Sequence, residues 1–191
     1  MNFRFDAENH EYFLDDRRLE SVTEILERSG IADYRFSNEE AMLRGTYVHT
    51  ATEMIDRGTL DWETLDPILR PYCEAYQRFI EDKRPEILTS EKPMWHPAHF
   101  YAGTPDRVAL MDGIVSLIDL KTGIPNRATA IQIAAYRELI RMNDGIVCRK
   151  SFSLHLRDDG TYRLDALPGG VHEYNIFLAA LTVVRWKKEA A

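Results

Sequence analysis

"GTPDRVALMDGIVSLIDLKTG", residues 103–123, reads as two apolar strand-like runs joined by Asp112-Gly113, a two-residue hairpin signal. With the turn there, Met111 pairs with Ile114. Continuing the register sets Asp106 directly across from Asp119. Cross-strand neighbours share a face, with Cβ atoms roughly 4.5–5.5 Å apart. Lys121, two residues beyond Asp119, shares that face. Charges in such runs are unusual, because an unpaired charge is costly to bury. Two carboxylates this close repel unless a proton or a cation lies between them. A hard divalent ion is the natural guest, and magnesium is commonly held by one or two carboxylates plus water and substrate phosphate. Lys121 would stand beside the ion's water, able to orient it or to contact phosphate. Alone, a D-x-K reads as a salt bridge at a strand end. The facing aspartate, and Gly103-Thr104-Pro105 ahead of it, favour the ion site.

The remaining composition is that of an ordinary soluble chain. It has 191 residues, 45% apolar and 29% charged, with a formal charge of −7, which argues against a broadly basic, nucleic-acid-coating surface. A local basic groove, or contact with phosphate through metal ions, stays open. The two cysteines, Cys73 and Cys148, cannot supply a four-cysteine zinc or iron–sulfur site and imply no disulfide framework. A reducing cytoplasm fits. The opening "MNFRFDAENHEY" is too polar for a signal peptide, and no apolar run reaches membrane-spanning length.

Along the chain, "FRFDAENHEYFLDDRRLESV" predicts a small N-terminal hairpin. Ser21 with Glu24 forms a capping-box pattern for a short helix stopped near Gly30. Ser37 with Glu40 repeats it and opens a longer helix, roughly Asn38 to Arg57, ended by Gly58. A third helix covers Asp66 to Asp82, with Pro71 either starting its main body or kinking it. Residues 86–122 read as strands: "EILTSEKPMWH", "FYAGTPDRVALM" and "GIVSLIDLKT". A helix from about Arg127 to Met142 follows, then a hairpin turning at Asp158 to Gly160, then a helix from about Gly170 to Lys188. The order implies an α/β (α+β) fold, a central mixed sheet flanked by helices. The organisation expected is one domain over 1–191: an N-terminal hairpin and short helix (1–36), a motif-bearing core (37–142) and a C-terminal hairpin and helix (143–191).

Further candidates lie outside the hairpin. In "RATAIQIAAYRELIRM", Ile131, Ala134, Ala135, Leu139 and Met142 make an apolar stripe, and Gln132 and Tyr136 lie four apart on an adjoining face. Both side chains can hydrogen-bond to phosphate or a nucleotide; alone, they read as a solvated glutamine and a packed tyrosine. In "RGTYVHTATE", His49 is either an ordinary half-buried helical residue, or a metal ligand or phosphate contact if its helix packs on the open end of the hairpin. Glu91, in "TSEKP", is a weaker metal-shell carboxylate that a charged strand edge would explain equally well.

Gly45 and His49, then Gly103-Thr104-Pro105-Asp106, then Asp119-Leu120-Lys121, then Gln132-x-x-x-Tyr136 resemble, in this order, the PD-(D/E)XK nuclease superfamily. The pattern looks like its RecB-type exonuclease branch, and is similar to small phage or prophage nucleases and to the mitochondrial genome maintenance exonuclease. The opening "HEYFLDDRRLESVTEIL" is also similar to the start of such proteins. The resemblance covers about residues 45 to 136.

That resemblance implies a restriction-endonuclease-like core, and a metal-dependent DNA nuclease, an exonuclease on linear or single-stranded ends in phage, recombination or repair settings. Asp106, Asp119 and the Leu120 carbonyl would ligate one or two Mg²⁺ or Mn²⁺ ions, completed or supported by His49. Lys121 would position and activate the attacking water, and Gln132 and Tyr136 would hold the strand. No iron–sulfur cluster is expected. Arg44, Arg107, Arg127, Arg137 and Arg141 lie near the motifs, and some of them are expected to face DNA. A helicase or recombinase partner is a further expectation, because many relatives are fused to one. The rival readings are an endonuclease of restriction or junction type on the same core, and a catalytically silent DNA-binding subunit.

Overall fold

The Asp112-Gly113 turn forms as the sequence predicts. Both residues take positive φ, 49° and 73°, as a tight hairpin turn matching strand twist requires. Met111 pairs with Ile114, and the register runs without a slip to Arg107 opposite Ile118. The computed structural model describes residues 1–32, 39–123 and 126–189.

The chain begins with strands β1 (Phe3–Asp6), β2 (Glu11–Leu14) and β3 (Arg17–Ser21), then helices α1 (Val22–Ser29), α2 (Glu39–Asp56) and α3 (Arg70–Lys83). Strands β4 (Glu86–Ser90), β5 (Met94–Trp95), β6 (Tyr101–Gly103), β7 (Arg107–Met111) and β8 (Ile114–Lys121) follow. Helix α4 (Ala128–Asp144), the hairpin β9 (Lys150–Leu156) and β10 (Tyr162–Ala166), and helix α5 (Val171–Glu189) complete it. The N-terminal segment is a three-stranded meander rather than a hairpin. A second turn at Asp15, at φ 52°, returns the chain, and Asn2 and Asp15 bond to each other there.

Local signals act where expected. Ser21 Oγ accepts from Glu24 N at 3.1 Å and caps α1, which Gly30 ends at φ 85°. Pro71 sits in the first turn of α3 and starts it rather than kinking it. The Ser37 cap lies outside the described residues.

Two mixed five-stranded sheets result, ordered β1-β2-β3-β6-β5 and β10-β9-β8-β7-β4. Pairs β3/β6 and β8/β9 are parallel; all others are antiparallel. The two sheets share one interrupted hairpin. The rail β4–β5 breaks at Glu91, a non-glycine residue at φ 45°; the rail β6–β7 breaks at Thr104–Asp106. Glu91 N donates to the Asp106 carbonyl at 2.9 Å across the gap. Each half of the hairpin therefore belongs to a different sheet, and the gap falls where the acidic side chains sit.

Alternation on β8 sorts the core. Leu117 packs with α1, α4 and α5 residues such as Val22, Ile133 and Phe177. Ile118 and Leu120 face the other side, with Val48 of α2 and Tyr76 and Phe79 of α3. The odd positions, Asp119 and Lys121 included, thus point toward α4.

Replacing Gly113 by alanine forces a side chain into the left-handed region and is expected to cost about 1–2 kcal/mol. Urea denaturation should show it as a lower midpoint at unchanged slope.

Candidate active site

Three elements bring ligand-type atoms together at the gap. Helix α2 turns Gly45, His49, Thr52 and Asp56 inward. Gly45 faces the residue after β8: a Cβ there would lie in ordinary contact, 3.6 Å from Thr122 Oγ1. One turn on, His49 Nδ1 lies 3.1 Å from Glu91 Oε1 and 3.6 Å from Asp106 Oδ1. A ligand atom from each of His49, Glu91 and Asp106 falls within 4.8 Å of the other two. Glu91, the weaker candidate in the sequence, is thus central, and its positive φ turns its side chain into the group.

Beneath this trio lies Arg107, 1% exposed. Its guanidinium pairs with Asp56, donates to Glu91 Oε1 at 2.9 Å and Thr52 Oγ1 at 3.1 Å, and returns to the Asp106 carbonyl at 2.8 Å. Tyr76 of α3 donates to the other Asp56 oxygen at 2.7 Å. The expectation that Arg107 faces DNA is therefore corrected: every side of the group is occupied inside the protein, and it sets the positions of Glu91 and Asp106.

Asp106 lies one residue beyond the paired part of the hairpin. Its Oδ2 accepts from Leu120 N at 2.6 Å. In an extended strand the N–H and C=O of one residue point the same way, so the Leu120 carbonyl faces the same gap. Asp119, 1% exposed, stands outside the trio. Its Oδ2 is 2.9 Å from Lys121 Nζ, and its buried Oδ1 has no hydrogen-bond partner among the described residues. Lys121 Nζ also donates to Gln132 Oε1 at 3.3 Å, and Gln132 Nε2 donates to Tyr136 Oη at 3.2 Å.

Gln132 and Tyr136 are buried along with Ile133, Leu139 and Ile140, whereas Ile131 is half-buried and Met142 exposed. The stripe expected is thus kept at Ala134, Ala135 and Leu139 and widened to take in Gln132 and Tyr136, because α4 packs against the sheets and α5 together. Gly103 admits this arrangement. A Cβ there would meet Tyr136 Cε1 at 2.7 Å.

The structure adds residues that the sequence did not flag. Tyr12 Oη lies 2.8 Å from Thr104 Oγ1 and 3.1 Å from His10 Nε2. The N-terminal meander therefore fixes the Gly103–Asp106 segment and sets His10 near Glu91 and His49; burial lowers its proton affinity, Glu91 opposes this and His49 adds to it. His155 is the register partner of Lys121 and is buried, with Nε2 3.0 Å from Ser153 Oγ. An HxY in a polar N-terminus and a single histidine in an apolar strand were the available signals. Of the other arginines, Arg127 is exposed, Arg44 is half-buried over the Tyr72 ring, Arg137 is held by the Cys148 carbonyl and Arg141 pairs with Glu138.

The electrostatics favour a cation here. Burial pushes the Asp106 carboxyl up, Glu91 adds to this, and His49 and Lys121 oppose it. Burial also raises Asp119, with Lys121 opposing and Asp106 reinforcing. For His49 burial disfavours the charged form, but the Asp106 and Glu91 carboxylates outweigh it and carry the imidazole up to about 9. A divalent ion would stabilise the ionised carboxylates and replace the His49 proton, and the unpartnered Asp119 oxygen supplies a further oxygen donor beside the trio. One imidazole nitrogen and several carboxylate oxygens form a donor set suited to Mg²⁺ or Mn²⁺. Among the described residues no helix is long and apolar enough to cross a membrane.

No protein-family description and no curated protein matches the chain. Among the solved structures it is similar to, three are of exonucleases. A candidate exonuclease from Eubacterium rectale is 14% identical over 83% of this chain and 68% of its own, with a TM-score of 0.47. LHK-Exo in complex with dAMP is 15% identical over 90% of this chain and 88% of its own, at 0.46. Another structure of LHK-Exo, the alkaline exonuclease from Laribacter hongkongensis, matches at 15% over 85% and 87%, at 0.43.

Removing Arg107 as Arg107→Met strands Asp56 and Glu91 in the interior and is expected to cost about 3–5 kcal/mol, read from urea denaturation. Mn²⁺ should raise the melting temperature of the native chain, by the equivalent of about 2.7 kcal/mol at a hundred times its Kd. In Asp106→Asn that rise should vanish.

Proposed function

We propose that the protein is a metal-dependent deoxyribonuclease of the PD-(D/E)XK type, acting as an exonuclease on linear or single-stranded ends. The observation that carries this reading is the meeting of two groups of side chains at one gap. His49, Glu91 and Asp106 converge there, and the Asp119–Lys121–Gln132–Tyr136 chain of contacts runs alongside. The exonuclease assignment within that chemistry rests on the motif order.

In this reading His49, Glu91, Asp106, Asp119 and the Leu120 carbonyl hold Mg²⁺ or Mn²⁺. The ion supplies neutralisation of charge on phosphate and a lowered pKa for water. The chain does the rest. Asp119 holds the Lys121 ammonium aimed across the gap, where it orients the attacking water toward phosphorus. Gln132 fixes that amine from the other side. Because Tyr136 Oη accepts from Gln132 Nε2, its own hydrogen is left to donate to a phosphate oxygen of the strand. The Tyr12–Thr104 contact keeps the Asp106 segment in place as the strand enters. His49 in its neutral form offers a ring nitrogen to the ion; protonated, the same nitrogen holds Glu91.

The test is digestion of end-labelled linear DNA and covalently closed circular DNA with Mn²⁺, with and without EDTA. Linear DNA should shorten from its ends and the circle should survive; cutting of the circle would assign an endonuclease. Asp119→Ala and Lys121→Ala should each lower the rate at least a hundredfold with circular dichroism unchanged. A wild-type rate in either variant would remove that residue from the chemistry.

A further inference from the structure

Helix α4 turns a second polar edge away from the gap. Gln132 and Tyr136 serve the site, while Ile133 and Arg137, one residue on, lean toward β9. A cavity of about 340 Å³ opens there, with Arg137, Arg149, Lys150, Ser151, Leu167 and Pro168 in its wall. Among the described residues no carboxylate lines it. In a chain of net charge −7, three cations gathered without a carboxylate are a marked local exception, and none of the three joins an ion pair among the described residues. The Cys148 carbonyl holds the Arg137 guanidinium by one nitrogen, which fixes its place and leaves other N–H groups to donate.

A second observation points into the same cavity. Ser151 is 3% exposed, and its Oγ has no hydrogen-bond partner among the described residues. A buried hydroxyl without a partner is destabilising, and such groups call for a reason. Gly169 closes the wall. A Cβ there would lie 2.9 Å from Ile133 Cγ2, 3.2 Å from Arg137 Cδ and 3.3 Å from Ser151 Oγ, so the bare backbone is what lets this turn reach the hydroxyl and the guanidinium stem.

We propose that this pocket binds a phosphate ester, with Arg137, Arg149 and Lys150 meeting the charge and Ser151 donating its hydroxyl hydrogen. Guanidinium, ammonium and hydroxyl donors are the set that phosphate oxygens accept from. The ligand is a backbone phosphate of the strand cut at the gap, an identity that rests on the nuclease reading, whereas the affinity for phosphate does not. The placement suits it. Ser153 is the register partner of Asp119, and Ser151 lies two residues before it on the same face, roughly 7 Å along the strand. The pocket is then a second grip on the strand beside the site.

The experiment is anisotropy of a labelled single-stranded oligonucleotide in EDTA, where nothing is cut. Arg149→Ala/Lys150→Ala should weaken binding about tenfold and flatten the slope of log affinity against log salt by about 0.7 for each phosphate no longer neutralised. Ser151→Ala should weaken it about threefold while the melting temperature holds or rises, since a purely structural hydroxyl would lower it. Lys83→Ala/Lys187→Ala, removing two charges elsewhere, should bind as the native chain does. Inorganic phosphate and dAMP are run as competitors and as thermal stabilisers. If the pocket variants bind the strand normally and phosphate protects them as it protects the native chain, the pocket is overturned while a nuclease that still cuts stands. If the native chain neither binds nor cuts a strand, yet phosphate or dAMP stabilises it and not Arg149→Ala/Lys150→Ala, the site reading fails and the pocket holds as one for a free phosphate ester.

Discussion

A single buried guanidinium organises the molecule. Arg107 reaches Asp56 and Thr52 on α2, Glu91 at one break of the divided hairpin and the Asp106 carbonyl at the other, while Tyr76 of α3 completes Asp56 from below. Charges taken out of water are costly, and such a cluster is stable only when each member is satisfied. The donors of Arg107 are well matched to these acceptors, so α2, α3 and both sheets are held to one point. His49 stands one turn before Thr52 on α2 and is delivered over the gap by the same anchorage.

From that point the two groups of the site follow separately. The trio of His49, Glu91 and Asp106 depends on where the hairpin is interrupted. The Asp119–Lys121–Gln132–Tyr136 chain depends on alternation along β8 and on the approach of α4 permitted by Gly103. A rigid β8 belongs to both: Ile118 and Leu120 lock it against α2 and α3, and its odd residues address α4. The spacing of the D-x-K thus has a mechanical meaning, since the residue between the acid and the amine buries itself in the opposite core and leaves only its backbone at the gap.

Much of this was legible. The Asp112-Gly113 turn fixes the register of β7 and β8 by local chemistry alone, and the Ser21 cap, the Pro71 start and the turn at Asp158 to Gly160 are equally local. What escaped was long-range. Nothing in "TSEKP" announces that Glu91 adopts a positive φ and splits a strand between two sheets. Arg107 looked like an exposed strand charge, because its partners lie on α2 and at the break, far away in sequence. Gln132 reads as a solvated helix residue until the second face of α4 is covered, and the parallel pairings β3/β6 and β8/β9 require contacts that no periodicity encodes. The contribution of Tyr12 and His10 was hidden for the same reason.

The divided hairpin also changes what a silent variant means. Where its rungs are missing, side chains stand in for the backbone ladder: the Asp106 carboxylate receives the Leu120 amide, and the Arg107 guanidinium donates to the Asp106 carbonyl. Groups at the gap are therefore stitches as well as reagents. Truncating Asp106 to alanine cuts a seam along with any chemistry, whereas asparagine keeps an oxygen for the Leu120 amide and removes only the charge. Lys121, whose ammonium meets the side chains of Asp119 and Gln132, separates the two roles far more cleanly.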